Sequence, residues 1–202
     1  MKTDRLLVNS RIGRAAVKGA FLLSITVVQS SHLLIAQDLT AADKTALKQF
    51  GRRATDYMKA IHKSPSGKPM KQASDVSTLE KERNEARTAV QHIRPNAKRG
   101  DIFTPDSAVA FKRLLKQTLS GPDGVKIAAS LKHAEPFVPT ALVVNAPFPN
   151  ERGQPMQSVP ASLLQNLPKL PKGLEYRLAG KALALRDVDA NIVVDYIPDA
   201  LP

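Results

Sequence analysis

The sequence predicts an α+β fold, in which an N-terminal bundle of three or four amphipathic helices is followed by a small antiparallel β-meander. Between residues 40 and 131, apolar residues recur at steps of three and four, which is the period of a helix. From residue 174 onward they alternate at steps of two, which is the period of a strand. The 15 prolines of the chain break it into short elements.

The first 37 residues predict an export signal. An uncharged apolar run at 19–28 and a second apolar patch at 33–36 follow a basic leader that contains one acid, Asp4. The basic residues of the leader are Lys2, Arg5, Arg11, Arg14 and Lys18. A positive start, an apolar middle and a small-residue exit are typical of a secretory signal peptide. We therefore expect a periplasmic or secreted protein.

The exit from this signal leaves alternatives open. Signal cleavage favours small residues at positions −3 and −1. Cleavage after Ala36 would place Leu34 at −3, and cleavage after Ser30 would place Val28 there, so neither site is clean. An uncleaved anchor is a second interpretation, although residues 20–36 fall short of the roughly 20 needed to span a bilayer; only in that case would the protein be held in a membrane. A soluble core segment is a third interpretation. The absence of cysteine excludes a lipid-anchored lipoprotein and fits an exported protein without disulfides.

Residues 38–134 are expected to form a basic helical region. Thr40 and Asp43 predict a capping box for the first helix, which reaches a Ser/Pro/Gly-containing loop at 64–69. Its apolar stripe is Leu47, Phe50, Ala54, Tyr57, Met58 and Ile61. The second helix is expected at 76–93, and its stripe is Val76, Leu79, Ala86, Val90 and Ile93.

Two further helices complete that region. The sequence Thr104-Pro105-Asp106 predicts a helix start, because it offers a capping hydroxyl, proline at the first helical position and an acid in the first turn. Gly121 predicts its end. The apolar residues of this helix are Val109, Phe111, Leu114, Leu115 and Leu119. Asp123 is expected to cap a fourth short helix, with Val125, Ala128, Ala129 and Leu131 on its face.

Residues 135–202 are expected to form a small antiparallel β region with a Pro-rich linker at 167–171. A short helix is predicted between residues 159 and 166, and a fourth strand could come from 140–145. Gly180-Lys181 and the segment 187–191 separate three alternating runs at hairpin spacing. The runs are Leu174, Tyr176 and Leu178, then Leu183 and Leu185, then Ile192, Val194 and Tyr196.

The C-terminal stretch resembles the tails of exported bacterial proteins without an assigned role. It is also similar to the short β-domain of periplasmic nickel/cobalt-homeostasis proteins, the RcnB-like group. About 30 residues carry this resemblance: Leu167-Pro168, Leu170-Pro171, Gly173, Tyr176, Gly180, Leu185, Asp187 and Val194-Asp195. The resemblance implies a shared β-meander, and a periplasmic metal-homeostasis accessory role is the alternative function that it suggests. The chain has no His-rich tract to match that group.

The sequence gives no motif for catalysis, a cofactor or a metal, so we expect a non-enzymatic protein. The three histidines beyond the leader, His62, His92 and His133, lack the clustering that metal ligands need. Asp187-x-Asp189-x-Asn191 copies the opening of a calcium loop but has no glycine or glutamate where that loop requires them. The carboxylates of this segment and of Asp195 lie at turns and on an alternating strand, where we expect them to be exposed.

Charge supplies the leading functional hypothesis. Residues 38–134 hold 19 basic and 10 acidic side chains, whereas residues 135–202 hold six and seven. Such a basic region attracts phosphate-rich partners, here an anionic envelope polymer or a lipid surface. Nucleic acid is disfavoured, because Phe50, Tyr57 and Phe111 fit the core stripes rather than a base-stacking surface. The candidate residues are Arg52, Arg53, Lys59, Lys63, Lys68, Lys71, Arg94, Lys98, Arg99, Lys112, Arg113 and Lys116. An alternative interpretation is a solvated helix surface without a partner.

Overall fold

The computed structural model describes residues 39–64, 75–133, 142–149 and 159–202. The expected export signal and the candidate residues Lys68 and Lys71 lie outside these ranges. The described part of the chain contains helices α1 (Ala41–Lys63), α2 (Val76–Ile93), α3 (Pro105–Ser120), α4 (Gly124–His133) and α5 (Ala161–Leu164), and strands β1 (Leu174–Ala179), β2 (Ala182–Asp187) and β3 (Ile192–Ile197). The predicted α+β class and the β-meander are confirmed.

Helices α1 and α3 begin where their capping residues predict, and α2 begins at a cap that was not predicted. Thr40 and Asp43 form the capping box of α1, with the Thr40 hydroxyl accepting from the Asp43 N–H at 3.1 Å. Asp75 caps α2 by accepting from the Thr78 N–H at 2.8 Å. Thr104 caps α3, which has Pro105 in its first turn. These contacts satisfy N–H groups that have no partner inside a helix.

Three valines that were expected on buried helix faces are exposed. Val76 is at the first position of α2, and Val125 is 82% exposed in the first turn of α4. Val109 is two residues, or about 200° around the helix, from the buried Phe111. Ile127 likewise lies two residues after Val125, on the other side of α4, and it is the residue that is buried in the core. At these three positions, the apolar stripe predicted from sequence included residues from the exposed face of the helix as well as from the buried face.

The sheet has the order β1-β2-β3 and is antiparallel throughout. Gly180 has a φ of 59° in the two-residue loop between β1 and β2. Asn191 has a φ of 51° at the entry to β3, a conformation that asparagine tolerates well. The pairing of β2 with β3 shifts between Leu185 and Arg186, which leaves Val194 as an extra residue just before Asp195. This is a β-bulge.

The segment 142–149 lies beside β3 and forms a single bridge instead of the fourth strand that the sequence suggested. Asn145 donates its N–H to the Val193 carbonyl at 2.8 Å, and Phe148 donates to the Asn191 carbonyl at 2.9 Å. Pro147 has no N–H to give, so a regular ladder cannot continue through it. The Phe148 ring packs against Ala184 and Val193 on one face of the sheet.

The other face of the sheet packs on the helices. Phe50 of α1 stacks on Phe103 with ring centroids 4.8 Å apart and meets Phe111 of α3 edge-on at the same distance. Tyr176 of β1 lies 6.3 Å from Phe50. Helices and strands therefore share one core, and all described elements belong to one folded unit. At Gly173, with a φ of 97°, an added Cβ would lie 2.6 Å from the Met58 side chain, so α1 approaches the start of β1 closely.

Candidate anion-binding surface

The exposed side of α1 carries a line of basic residues, which we call the outer stripe: Lys44, Lys48, Arg52, Lys59 and Lys63. All five are exposed. Steps of four and seven residues keep side chains on one side of a helix. Phe50, Ala54, Tyr57 and Ile61, on the opposite side, are buried in the core. The burial of the apolar side therefore fixes the outer stripe toward solvent.

The outer stripe is long and has few acids beside it. Its ends, Lys44 and Lys63, are 19 residues apart, which corresponds to about 28 Å at the rise of an α-helix, with about 6 Å between members four residues apart. Asp56 is the one exposed acid on α1, and its contact with Lys59 at 3.6 Å is solvent-exposed and weak. The other four members have no ion pair among the described residues. The outer stripe thus presents positive charge that is largely uncompensated by acids along the exposed side of α1.

Of the remaining exposed candidate residues, Arg53 lies on α1 outside the outer stripe, and the others lie on other elements. Arg53 donates from its guanidinium to the Asp101 carbonyl at 3.2 Å. Arg99 lies over the ring of Tyr196, 5.6 Å from its centroid. Lys98 is exposed in the same loop, and Lys112 and Lys116 are exposed on α3. Of these, the structure brings Arg53 and Lys98 together around Asp101.

Arg94 and Arg113 do not belong to an open cationic face. The Arg94 side chain is only 15% exposed; it donates to the Val194 carbonyl at 3.3 Å and lies over the Tyr57 ring, 5.3 Å from its centroid. Arg113 forms an ion pair with the buried Asp43. Hydrogen bonds from Thr40, with the Arg113 contact, hold the pKa of the Asp43 carboxyl below its ordinary value against the opposing effect of burial. Both arginines join elements of the fold.

Asp195 is fully buried, which corrects the expectation that it would be exposed. One carboxylate oxygen accepts from the N–H groups of Ile102 and Phe103, both at 2.8 Å. The other accepts from the Tyr196 N–H at 2.8 Å and from the Gly100 N–H at 3.1 Å. We call this arrangement the Asp195 cradle. Four N–H donors stabilise a buried carboxylate and hold the loop before α3 on β3.

Asp187 is also buried, again against expectation. It accepts a hydrogen bond of 2.7 Å from the Tyr57 hydroxyl and one of 2.9 Å from the Ala190 N–H. Burial raises the pKa of Asp187 above its ordinary value, because it disfavours the charged carboxylate. The two buried carboxylates have different hydrogen-bond partners.

Sequence alternation could not reveal these two buried acids, because a β-bulge changes the alternation at Asp195 and a turn follows Asp187. One signal was available for Asp195. It is a polar residue between the apolar positions Val194 and Ile197, and Gly100 in the preceding region can adopt the φ of 95° that a tight amide-donating loop uses. Neither feature alone predicts that Asp195 accepts hydrogen bonds from the loop at Gly100.

His62 and His92 are exposed on different helices. In the described ranges, no group of three or more His, Cys, Asp or Glu residues is placed to hold a metal ion. Within the same ranges, no helix has both the length and the apolar character needed to cross a membrane. No family model, no curated protein and no solved structure matches the chain.

Proposed function

We propose that this protein is an exported, non-enzymatic envelope protein that binds an anionic polymer along the outer stripe of α1. The observation that carries the proposal is the row of five exposed cations on one side of α1, a helix on which Asp56 is the single exposed acid. The expected signal at residues 1–37 motivates the compartment. A polymer with regularly spaced negative charges can meet several members of the stripe at once, and binding at one member raises the local concentration at the next.

The chemistry of α1 favours a polymer over a lipid surface. An interfacial helix inserts its apolar face between lipid headgroups. The apolar face of α1 instead covers the core through Phe50 and Tyr57, and no large apolar side chain of this helix is exposed. Attraction to a membrane would therefore be electrostatic only. A charged polymer needs no insertion, and the rigid helix keeps the cations in register.

A non-enzymatic role is supported by the hydrogen bonds that the two buried acids of the sheet region make within the fold. Asp195 and Asp187 each accept hydrogen bonds that hold the fold together. A general acid or base must instead reach a substrate from a pocket. The outer stripe consists of lysine and arginine side chains whose charge at neutral pH suits electrostatic recognition.

The experiment compares two triple variants that change net charge equally. The first carries Lys44→Glu, Lys48→Glu and Arg52→Glu in the outer stripe. The second carries Lys169→Glu, Lys172→Glu and Lys181→Glu, all exposed positions in or beside the sheet. Binding to polyphosphate chains and to phosphatidylglycerol vesicles is measured at about 20 mM and 300 mM salt, since salt screens such contacts.

We expect the unmodified protein to bind polyphosphate at low salt and to release it at high salt. The stripe variant should lose this binding and the sheet variant should retain it. Equal losses in both variants would show that only net charge matters and would contradict the outer stripe. Binding to vesicles but not to polyphosphate would replace the polymer with a lipid surface. The mass and N-terminus of the protein from fractionated cells test export, and an intact chain in the cytosol would contradict it.

A further inference from the structure

A small, mainly apolar cavity lies between helix α5, the Pro-rich linker and the outer edge of β1. We call it the edge cavity, and its volume is about 340 Å³. Its apolar walls include Val159, Leu164, Leu167, Leu170, Leu174 and Tyr176. Cavities that bind small molecules are mostly apolar and carry a few polar groups, and this volume is at the lower end of their range.

The edge cavity lies where a further strand would pair with β1, which is an outer strand of the sheet. The Val188 N–H donates to the Gly173 carbonyl at 2.9 Å. Alternate residues from Gly173 onward therefore bond to β2, and Tyr176, which lies between two of them, turns its N–H and carbonyl away from β2. Among the described residues, these two groups of Tyr176 have no hydrogen-bond partner. The linker and α5 thus flank the edge of β1 without pairing with it.

The walls of the edge cavity are held in place, with one exception. Leu167 and Leu174 are buried in the core, and the Tyr176 hydroxyl donates to the Pro168 carbonyl at 2.9 Å, which ties the linker to β1. Leu164 is 41% exposed, although it is a large apolar side chain. Covering such a side chain removes apolar surface from water, which is favourable. The cavity therefore offers a preformed apolar surface that a ligand can complete.

Three charged residues also line the edge cavity: Lys169, Glu175 and Arg177. Arg177 holds Glu175 through two hydrogen bonds of 2.7 and 2.9 Å, so these two charges are engaged with each other. Lys169 is exposed and forms no ion pair among the described residues. The cavity thus combines apolar walls with one unmatched positive charge.

We propose that the edge cavity binds an alkyl chain of medium length whose anionic head lies beside Lys169. Apolar walls favour methylene groups, because their burial removes them from water. A volume of about 340 Å³ has room for roughly ten groups of the size of a water molecule, and a methylene group is of similar size. Octanoate and decanoate are ligands of this length. The charge of Lys169 favours an anionic head over a cationic one.

This site differs from the outer stripe in position and in chemistry. The stripe attracts a polymer through exposed charges on α1, and salt screens such attraction. The edge cavity lies beside β1, and burial of apolar surface supplies most of its affinity, which salt does not screen. The proposal for the edge cavity therefore does not depend on polymer binding by α1.

The test is titration calorimetry of the full chain with hexanoate, octanoate, decanoate and dodecanoate, each below the concentration at which it forms micelles. We expect one-to-one binding whose affinity rises about fourfold for each added methylene and rises less beyond decanoate, because the cavity is then full. Octylammonium, which has the opposite charge, should bind about fivefold more weakly than octanoate. An affinity that does not change with chain length would overturn the proposal, and equal binding of octanoate and octylammonium would overturn the role of Lys169.

Two pairs of variants locate the site. Leu164→Ser removes an apolar wall and should weaken octanoate binding by about tenfold or more, whereas Val188→Ser, at another exposed apolar position, should leave it unchanged. Lys169→Gln should reduce the preference for octanoate over octylammonium, whereas Lys172→Gln, exposed but outside the cavity lining, should not. Urea denaturation checks that each variant is folded. Because Lys169 is exposed, its variant keeps the test decisive even when Leu164→Ser is unstable.

Unchanged binding in both Leu164→Ser and Lys169→Gln would place the ligand elsewhere and overturn the assignment. Dihexanoyl phosphatidylglycerol, used as dissolved monomers, distinguishes the source of the chain. Binding of octanoate alone supports a free carboxylate, binding of both supports an acyl chain carried by a lipid, and binding of neither overturns the proposal. The stripe variant should lose polyphosphate binding and retain octanoate binding, and loss of both would contradict the separation of the two sites.

Discussion

The charged side chains inside this molecule and those on the outer stripe of α1 have opposite surroundings. Asp195 and Arg94 are enclosed by backbone groups and ring faces from distant parts of the chain. Lys44, Lys48 and Arg52 have solvent around them. The comparison teaches that the number of charges in a region says little about binding. What matters is which charges are already satisfied within the fold.

The largest effect on stability is expected from removing the carboxylate of Asp195, the most enclosed of these charges. Asp195→Ala leaves the N–H groups of Ile102 and Phe103 without their acceptor in a buried place. We expect the free energy of unfolding to fall by about 3 kcal/mol or more, as measured by urea denaturation. Asp189→Ala, at the nearby turn, is the control and should cost no more than about 0.5 kcal/mol. Similar small losses in both variants would show that the cradle is not a principal support.

The loop that donates to Asp195 gives a second, smaller effect. Gly100 has a φ of 95°, a conformation that strains any residue with a side chain. We expect Gly100→Ala to lower the free energy of unfolding by about 1–2 kcal/mol. Gly51 is in the middle of α1 with open space around it, so Gly51→Ala should raise that free energy by about 0.5–1 kcal/mol. If both variants shift stability in the same direction, the backbone explanation is wrong.

The buried Asp187 predicts a dependence on pH. Burial raises the pKa of the folded-state Asp187 carboxyl above its ordinary value of 3.8, so the folded state holds this proton more tightly than the unfolded state. Its contribution to stability is therefore complete below pH 3.8 and is lost as the pH rises through the folded pKa. Between about pH 3.5 and 7, the unmodified protein should lose stability relative to Asp187→Asn.

Tyr57→Phe sharpens this test. The Tyr57 hydroxyl donates to the Asp187 carboxylate and thereby favours its charged form. Without that donor the folded pKa should rise further, and the loss of stability with rising pH should become steeper. Urea unfolding at a series of pH values measures both variants. A Tyr57→Phe profile parallel to that of the unmodified protein would contradict the coupling between the two side chains.

The outer stripe should show the smallest effect on stability. Lys44→Gln, Lys48→Gln and Arg52→Gln each remove a solvated charge that makes no ion pair among the described residues. We expect each to change the free energy of unfolding by less than about 0.5 kcal/mol, while together they weaken polymer binding strongly. Urea denaturation and the polyphosphate titration measure the two quantities on the same samples. A stability loss comparable with that of Asp195→Ala would mean that the stripe supports the fold.

Local sequence signals predicted the elements of this fold well. Thr40 with Asp43 and Thr104 with Pro105 predicted two helix starts, because capping depends on residues that are close in sequence. The hairpin at Gly180 was predicted from a turn residue between two alternating runs, which is also a local signal. The exposed Val76 and Val125 show where this signal is weaker. Each lies in the first turn of its helix, where distant partners decide which face is buried.

The candidate sites were only partly predictable. The outer stripe follows from the buried face of α1, and three of its five residues, Arg52, Lys59 and Lys63, were among the candidates predicted from sequence. By contrast, the Asp195 cradle joins β3 to a loop more than 90 residues earlier in the chain, so no local pattern contains it. The interior role of Arg94 was missed for the same reason: its partners Tyr57, Asp101 and Val194 come from three separate segments.

The Asp195 cradle has a consequence for the order in which the chain can assemble. Gly100 and the carboxylate that holds it are 95 residues apart. While the polypeptide emerges from its N-terminus, the loop before α3 must wait for the last strand before its amide groups find an acceptor. A chain shortened just ahead of residue 195 would leave the loop at 100–103 without its acceptor. In a growing chain, the helices made early would likewise remain exposed to proteases until β3 has been made.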